Sequence, residues 1–462
     1  MTQPLGLGPQ PTITDLGRAL RRREVSAAQL AADALRRIND RDATVNAFAL
    51  VDEAGAYEAA RRADRELATG VDRGPLHGIP VAVKDLIDMA GLPTTCGSAT
   101  SFGAVATRDA EVITRLRDQG AVIVGKTTLH EFAYGATGDR SLHGPSRNPH
   151  DPGRISGGSS GGSAVAVASG MVPLSLGTDT AGSVRVPAAL CGVVGFKPTY
   201  DAVPSTGVYP LAPTLDHVGV FADSVEDALI GYQALTDRPL SRPSHDSRSI
   251  TVGWIKSGDI ATCDPRIEEM ARDLLARVGF APETVRGFPG WDRRQTLFDL
   301  FTTLQSREAY EVHRHHLNED RDLIDAEVLA RLENGGKVSA SDYEQAEKAR
   351  GELRTIVREL LRAHDLLALP TVPFVAPPLD TRSVHVDGTE LEVRSALLSL
   401  TSPWNLTGIP AISVPAGRCD GLPAAVQLVT APGNEHLLFG AAQALEAAVR
   451  RESSKDLSRQ RR

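Results

Sequence analysis

The sequence predicts an α/β fold built on a largely parallel or mixed sheet, and three observations carry that prediction. Short apolar runs alternate with longer stretches of helical periodicity, the pattern of strands joined by helices. Gly and Pro make up about 15% of the 462 residues, against a usual share of about 12%, an excess that fits many turns rather than disorder or collagen. Apolar residues are 41% and charged residues 23%, a globular balance in a chain long enough for a large core. At about 150 residues per domain, length alone suggests three domains.

The elements follow in order. Ser26-Ala27-Ala28-Gln29 forms a capping box, after which Leu30, Ala34 and Ile38 share one helical face. A second helix starts near Ala54 and ends at Gly70, a C′ glycine. Ile79, Val81 and Val83 alternate as a strand that delivers Lys84 at its end. Asp109 to Gln119 reads as a helix with Val112, Ile113 and Leu116 inward, stopped by Gly120, and Ala121 to Val124 as a short buried strand. Ser163 to Ser169 is a small-residue helix, followed by a strand over Val172 to Leu176. Ser306 to His364 is helical and charged, with Tyr343, Ala346, Leu353, Ile356 and Leu360 as its buried stripe; a separate helical domain, a helical layer and a coiled-coil arm all fit it. Leu366–Leu369, Ala411–Val414 and Ala424–Val429 read as strands, Asn434 to Val449 as a closing amphipathic helix, and 450–462 as a polar, frayed and flexible tail.

Composition excludes several function classes. A net charge of −8 offers no basic footprint for a polyanion, and 5% aromatics leaves few stacking platforms, so no nucleic-acid partner is expected. Cys96, Cys191, Cys263 and Cys419 are far apart and form no C-x-x-C pair. So few thiols, with no basic or apolar leader over Met1–Gly6, point to a cytoplasmic protein. No run approaches the ~18 apolar residues of a spanning helix, so no membrane partner is expected.

Two motif matches are set aside. Gly120-Ala121-Val122-Ile123-Val124-Gly125-Lys126-Thr127 satisfies the P-loop pattern, but its variable positions form a strand whose N–H groups belong to a sheet. Gly158-Ser159-Ser160-Gly161-Gly162 satisfies the nucleophile-elbow pattern, yet a loop over 148–154, not a buried strand, precedes it. His313, His315 and His316 place two rings on one helical face without H-E-x-x-H or a partner carboxylate, and read as solvated residues rather than zinc ligands. Cys191 reads as a buried small apolar residue.

Three segments stand out: Lys84 at the end of an apolar strand, the Gly-Ser run Ser156 to Ser163, and Gly177-Thr178-Asp179-Thr180-Ala181-Gly182-Ser183-Val184-Arg185-Val186-Pro187. The Gly-Ser run passes directly into Ala164-Val165-Ala166-Val167-Ala168, so it reads as a closely packed helix start rather than a linker. These blocks, with Cys191-Gly192-Val193-Val194-Gly195-Phe196-Lys197-Pro198-Thr199, Leu215-Asp216-His217-Val218-Gly219 and Asn405-Leu406-Thr407-Gly408-Ile409-Pro410-Ala411, strongly resemble the amidase signature family. The resemblance covers nearly the whole chain and is weakest between about 225 and 360. It implies one large domain over 1–462, with a central mixed twisted sheet covered by helices on both faces, a signature core at about 75–220 and a variable, helix-rich substrate region at about 225–400.

The same resemblance implies a Ser–cis-Ser–Lys triad. Lys84 and Ser159 are 75 residues apart, and Ser159 and Ser183 are 24 apart, spacings that fit the family, whereas Ser160 would shift both by one. Ser183 is then the nucleophile, Ser159 the proton bridge after a cis peptide, and Lys84 the general base. Backbone N–H groups of Thr180, Ala181, Gly182 and Ser183 form the oxyanion hole, and Ser160, Asp179 and Arg185 support the loop. A serine needs a base, and a lysine serves only when burial or positive charge lowers its pKa from about 10.4. Two departures are visible: Ala181 where many relatives have Gly, which narrows acyl space, and Asp201-Ala202 where relatives often carry Gly-Arg. The expected activity is hydrolysis of a small-molecule carboxylic amide to acid and ammonia, with no metal or organic cofactor and with a homodimer left open. The alternative is the glutaminase-like subunit of a tRNA-dependent amidotransferase; the 177–183 wording and the charged helix over 339–364 resemble stand-alone amidases more.

Overall fold

Eleven strands form one sheet in the computed structural model, which describes residues 10–100, 105–237, 250–285 and 297–460. The leader residues Met1–Gly6 and the last two residues of the tail lie outside the described residues. In spatial order the strands are Phe48–Val51, Val122–Thr127, Pro80–Lys84, Leu174–Thr178, Val218–Ala222, Val194–Lys197, Ala411–Cys419, Leu422–Val429, Leu366–Pro370, Val252–Trp254 and Glu283–Thr284. The sheet is mixed. Val122–Thr127, Pro80–Lys84 and Leu174–Thr178 run parallel, the next five pairings are antiparallel, and the last two are parallel again.

Side-chain alternation divides the interior into two apolar clusters. Leu366 and Ala368 join one cluster while Leu367 and Leu369 join the other, as the period-two pleat requires. The first cluster takes in the helices Ala27–Val45 and Glu435–Gln460, and the second takes in Leu297–His313 and Ala340–Ala363. Each fully buried Leu or Val contributes about 1.5–3 kcal/mol, so both faces of the sheet stabilise the fold.

The local signals work as the side-chain chemistry demands. Ser26 and Gln29 close their capping box around the helix Ala27–Val45, with Leu30, Ala34 and Ile38 buried. The helix Glu111–Asp118 stops before Gly120, which takes a φ of +74°. Residues 122–127 are a buried strand hydrogen-bonded between two neighbours, so the P-loop pattern holds no phosphate loop.

One open choice is resolved and three expectations are corrected. The helices Ala326–Gly335 and Ala340–Ala363 both pack on Leu297–His313, and Ala340–Ala363 packs on the strand Leu366–Pro370, so of the three arrangements that fit the charged stretch it is a helical layer. Its buried stripe is Ala346, Arg350, Leu353 and Val357; Tyr343, Ile356 and Leu360 are half-buried. The true stripe follows strict i, i+4, i+7 spacing and admits Arg350, whose guanidinium donates to the carbonyls of Leu406 (2.8 Å) and Thr214 (2.7 Å). The expected loop before the Gly-Ser run is a small hairpin, Arg147–Asn148 with Asp151–Ile155. The closing helix runs on to Gln460, because no Gly or Pro follows Gly440 to stop it.

The closing helix docks through Phe439, 4.7 Å from Phe196 between ring centroids, while Phe196 lies 4.9 Å from Tyr232. Phe439→Ala is expected to lower stability by about 3–5 kcal/mol. The measurement is a guanidinium unfolding titration, and an unchanged midpoint would show that the helix is not integral to the fold.

Candidate active site

Lys84 is the last residue of a strand that is buried along its whole length in the sheet. The side chain is wholly buried, and Nζ donates to Ser159 Oγ at 2.7 Å and to Thr178 Oγ1 at 2.8 Å. Among the described residues no carboxylate lies within ion-pair distance of it. Burial strips water from the ammonium and brings the lysine down to about pH 7, with Asp216 and then Asp179 opposing that fall.

The Gly158–Ser159 peptide is cis, and Ser159 and Ser160 are buried. Backbone bonds hold this turn in place: His130 N–H donates to the Ser159 carbonyl (3.0 Å) and Ser160 N–H to the Ser183 carbonyl (3.3 Å). Ser160 Oγ donates to the Thr178 carbonyl (3.1 Å) and accepts from Thr178 N–H (3.2 Å), so Ser160 ties the turn to the strand bearing Thr178. The turn opens the helix Gly161–Ala168, where a Cβ on Gly162 would lie 2.3 Å from the Ala47 carbonyl oxygen. Glycine is demanded there by close backbone contact, not by flexibility.

Asp179 and Arg185 form a wholly buried ion pair, Nη2 to Oδ1 at 2.8 Å and Nε to Oδ2 at 3.0 Å. Asp179 Oδ2 also accepts from Val184 N–H (3.2 Å), and Oδ1 accepts from Asn405 Nδ2 (2.9 Å). Burial alone would raise this carboxyl, but Arg185 holds it well below the usual range. Arg185 reaches further, donating to the Thr401 carbonyl (2.9 Å), Gln427 Oε1 (3.2 Å) and Asn405 Oδ1 (2.7 Å). Thr401 Oγ1 donates to the Ala181 carbonyl at 2.6 Å. Gly182 has a φ of +142°, and a Cβ there would sit 2.2 Å from Thr401 Oγ1. Among the described residues the N–H groups of Thr180, Ala181, Gly182 and Ser183 have no acceptor, and neither does the Ser183 hydroxyl, which is 5% exposed.

Sequence reasoning assigned no role to several residues at this site. Thr178, Thr401, Asn405 and Gln427 supply the hydrogen bonds above. Asp216 is half-buried beside them: Oδ1 accepts from Thr180 Oγ1 (2.6 Å), and Oδ2 from the N–H groups of Leu211 (2.9 Å) and Ala212 (3.0 Å). Burial pushes Asp216 up to about 6, against the pull of those donors. Thr178 ends its strand and Thr180 lies in the bend just beyond it. With Asp216, His217, Ala133 and Tyr209 they line a cavity of about 80 Å³. The Leu215-Asp216-His217 run was visible in the sequence, but its pairing across to Asp179 and Thr180 was not.

The histidines are the other correction. His313 is fully buried and His316 is 5% exposed, with the His313 ring 4.4 Å from that of Phe132; only His315 is exposed. His313 lies on the inward face of its helix with Leu300, Leu304 and Ala309, and burial pushes it down to about 3. Cys191 is buried and its thiol is pushed up, as an apolar filler would be. Among the described residues no group of three or more His, Cys, Asp or Glu could hold a metal ion, and no helix is long and apolar enough to cross a membrane.

Known proteins resemble this chain along nearly its whole length. Residues 29–439 match the amidase family. AtzE, the 1-carboxybiuret hydrolase subunit of Pseudomonas sp. (strain ADP), is 36% identical over 444 aligned positions, covering 91% of this chain and 95% of the relative. A glutamyl-tRNA(Gln) amidotransferase subunit of Acidothermus cellulolyticus is 35% identical, covering 95% of this chain and 94% of the relative. A crystal structure of an amidase superposes with a TM-score of 0.87 at 33% identity, covering 95% of this chain and 100% of the other. The chain therefore belongs to the amidase family, the amidase signature enzymes, and is a hydrolase of C–N bonds.

Proposed function

We propose that the enzyme hydrolyses a small carboxylic acid amide to acid and ammonia through an acyl-enzyme on Ser183, and that it does so without partner subunits. The observation that carries this reading is Lys84: a wholly buried amine with no counter-ion among the described residues, bonded at 2.7 Å to Ser159, whose neighbour Ser160 binds the Ser183 carbonyl. A neutral lysine accepts a proton from Ser159 as Ser159 takes one from Ser183, and the Ser183 oxygen attacks the amide carbon. The developing oxyanion is met by the free N–H groups of 180–183, each worth about 3 kcal/mol in the transition state. The relay then runs backwards: Lys84 returns its proton through Ser159 to the amide nitrogen, the C–N bond breaks and ammonia leaves. Water repeats the cycle on the ester, its proton going to the relay and its hydroxyl to the acyl carbon, which releases the acid and restores Ser183.

Asp179 and Arg185 do not react in this scheme; they hold the loop that bears the nucleophile and its donors. Four buried free cysteines are compatible with a cytoplasmic setting.

The near-equal likeness to amidotransferase subunits makes subunit dependence the point to test. Ammonia release from small aliphatic, aromatic and dicarboxylic amides by this chain alone supports the proposal, and release from glutamine only alongside partner subunits overturns it. Ser183→Ala is expected to lower kcat by about 10³-fold or more. Because Lys84 acts only when neutral, kcat/KM is expected to rise with pH through about 7, and Lys84→Ala to lose that limb and recover some rate at high pH.

Asp216 gives a further check of the base. Its negative charge favours the ammonium form of Lys84, so Asp216→Asn, which can keep the hydrogen bonds with Thr180 reversed, is expected to move the acid limb to lower pH, by about half a unit or more. A pH profile unchanged from the wild type would remove Asp216 from the electrostatics of the base.

A further inference from the structure

We propose that the amide substrate carries a carboxylate at the end remote from the scissile bond, and that the Arg394 guanidinium binds it. This rests on the amide-hydrolase reading above and names the substrate class of that same site.

Arg394 stands near the start of the helix Val393–Ser399. Seven residues on, about 10 Å along a helical path, Thr401 donates to the carbonyl of Ala181 in the nucleophile loop. On the other side of Arg394 lies Tyr134, its ring centroid 5.6 Å from Cζ. Tyr134 belongs to the segment that backs the serine turn: a Cβ on Gly158, the residue before Ser159, would lie 3.2 Å from the carbonyl oxygen of Gly135. Arg394 thus touches one wall of the serine site and is one helix away from the other.

The partners of Arg394 distinguish it from the arginines that hold the fold together. Arg185 is saturated by Asp179, Asn405, Gln427 and the Thr401 carbonyl. Arg140 pairs with Glu327 and Asp380, and Arg382 pairs with Asp139 and Glu327. Arg394 has no carboxylate within ion-pair distance among the described residues; its Nη2 reaches only Gln305 Oε1, at 3.2 Å, and its Nε is buried without an acceptor. A guanidinium is always charged and its flat fork matches a carboxylate with two parallel bonds. A buried N–H left without an acceptor is a cost to the fold, so a carboxylate arriving here relieves a defect as well as forming a pair.

A second cation strengthens the site. Arg331 donates to the Tyr134 carbonyl at 2.7 Å and meets Glu327 at 3.2 Å. Burial, and next the charge of Arg394, bring Arg331 down to about 10, which records two like charges held close beside Tyr134, Arg331 at its carbonyl and Arg394 at its ring. Arg394 is half-buried, so the pair is reachable by a small ligand. Arg331 is answered by Glu327, but a neutral amide would leave Arg394 without a counter-charge; an ω-carboxylate amide would not.

The test compares matched amides on the intact chain: succinamate against butyramide and glutaramate against valeramide. The wild type is expected to favour at least one carboxylate member by about tenfold or more in kcat/KM. Arg394→Gln is expected to collapse that ratio, and Arg394→Lys, which keeps the charge but not the fork, to retain part of it. Calorimetric titration with succinate and glutarate reads the same contact without catalysis, and binding to the wild type is expected to be lost in Arg394→Gln protein that melts like the wild type. No preference for the carboxylate members in the wild type, a ratio that survives Arg394→Gln, or dicarboxylates that bind neither form or both alike would each overturn the proposal. If the amide-hydrolase reading itself fails, no amide of either class turns over, and the calorimetric arm alone then decides.

Discussion

The buried pair of Asp179 and Arg185 is the contact on which the site depends. Asp179 stands just beyond the strand Leu174–Thr178 and caps the helix Arg185–Cys191. Arg185 carries the connection to Thr401, Asn405 and Gln427, more than two hundred residues further along the chain. Two charges removed from water bring little net stability, but losing one of them leaves the other stranded at a cost of about 3–5 kcal/mol. The pair therefore determines where the chain turns rather than how stable it is. The turn it defines leaves the N–H groups of 180–183 unbonded and the Ser183 hydroxyl free.

Among the described residues three lysines are buried without exposure, and the sheet treats each differently. Lys126 meets Asp85 at 2.6 Å and is a structural ion pair. Lys197 donates to the carbonyls of Ile409 (2.6 Å) and Pro198 (2.9 Å), and burial holds its proton affinity far below that of a free lysine. Lys84 meets two hydroxyls, one of which belongs to Ser159, next to the residue that bonds the Ser183 carbonyl. A hydroxyl can give a proton as well as accept a hydrogen bond, and a carbonyl cannot. That difference, rather than burial itself, separates Lys84 from Lys197.

Much of the fold was legible because apolar period and capping chemistry are local. The capping box at Ser26, the strand that ends at Lys84 and the helix after Glu111 needed only their own residues. His313 was misread as solvated because its inward direction depends on a helix face that packs on Phe132, nearly two hundred residues earlier. The stripe of Ala340–Ala363 was drawn through the apolar Ile356 and Leu360, whereas the buried face takes in Val357 and Arg350. Its acceptors, Thr214 and Leu406, come from other parts of the chain. Asp216, seen only as part of a motif, and Arg394 received no role for the same reason: an acid or a base on its own has no role until its neighbours are known.

The sequence alone determined the class of fold, the family and the residue types that meet at the serine turn. Spacing along the backbone and runs of small residues survive in a linear string, because glycine is required wherever two chains touch. What only the tertiary structure decided is electrostatic. Whether a lysine keeps its proton, whether a carboxylate is paired, and whether a guanidinium is left wanting an anion all depend on what lies within a few ångströms through space. Lys84, Asp216 and Arg394 have ordinary side chains; burial and the choice of neighbour make the first a candidate base, the second its electrostatic partner and the third a candidate anion receptor.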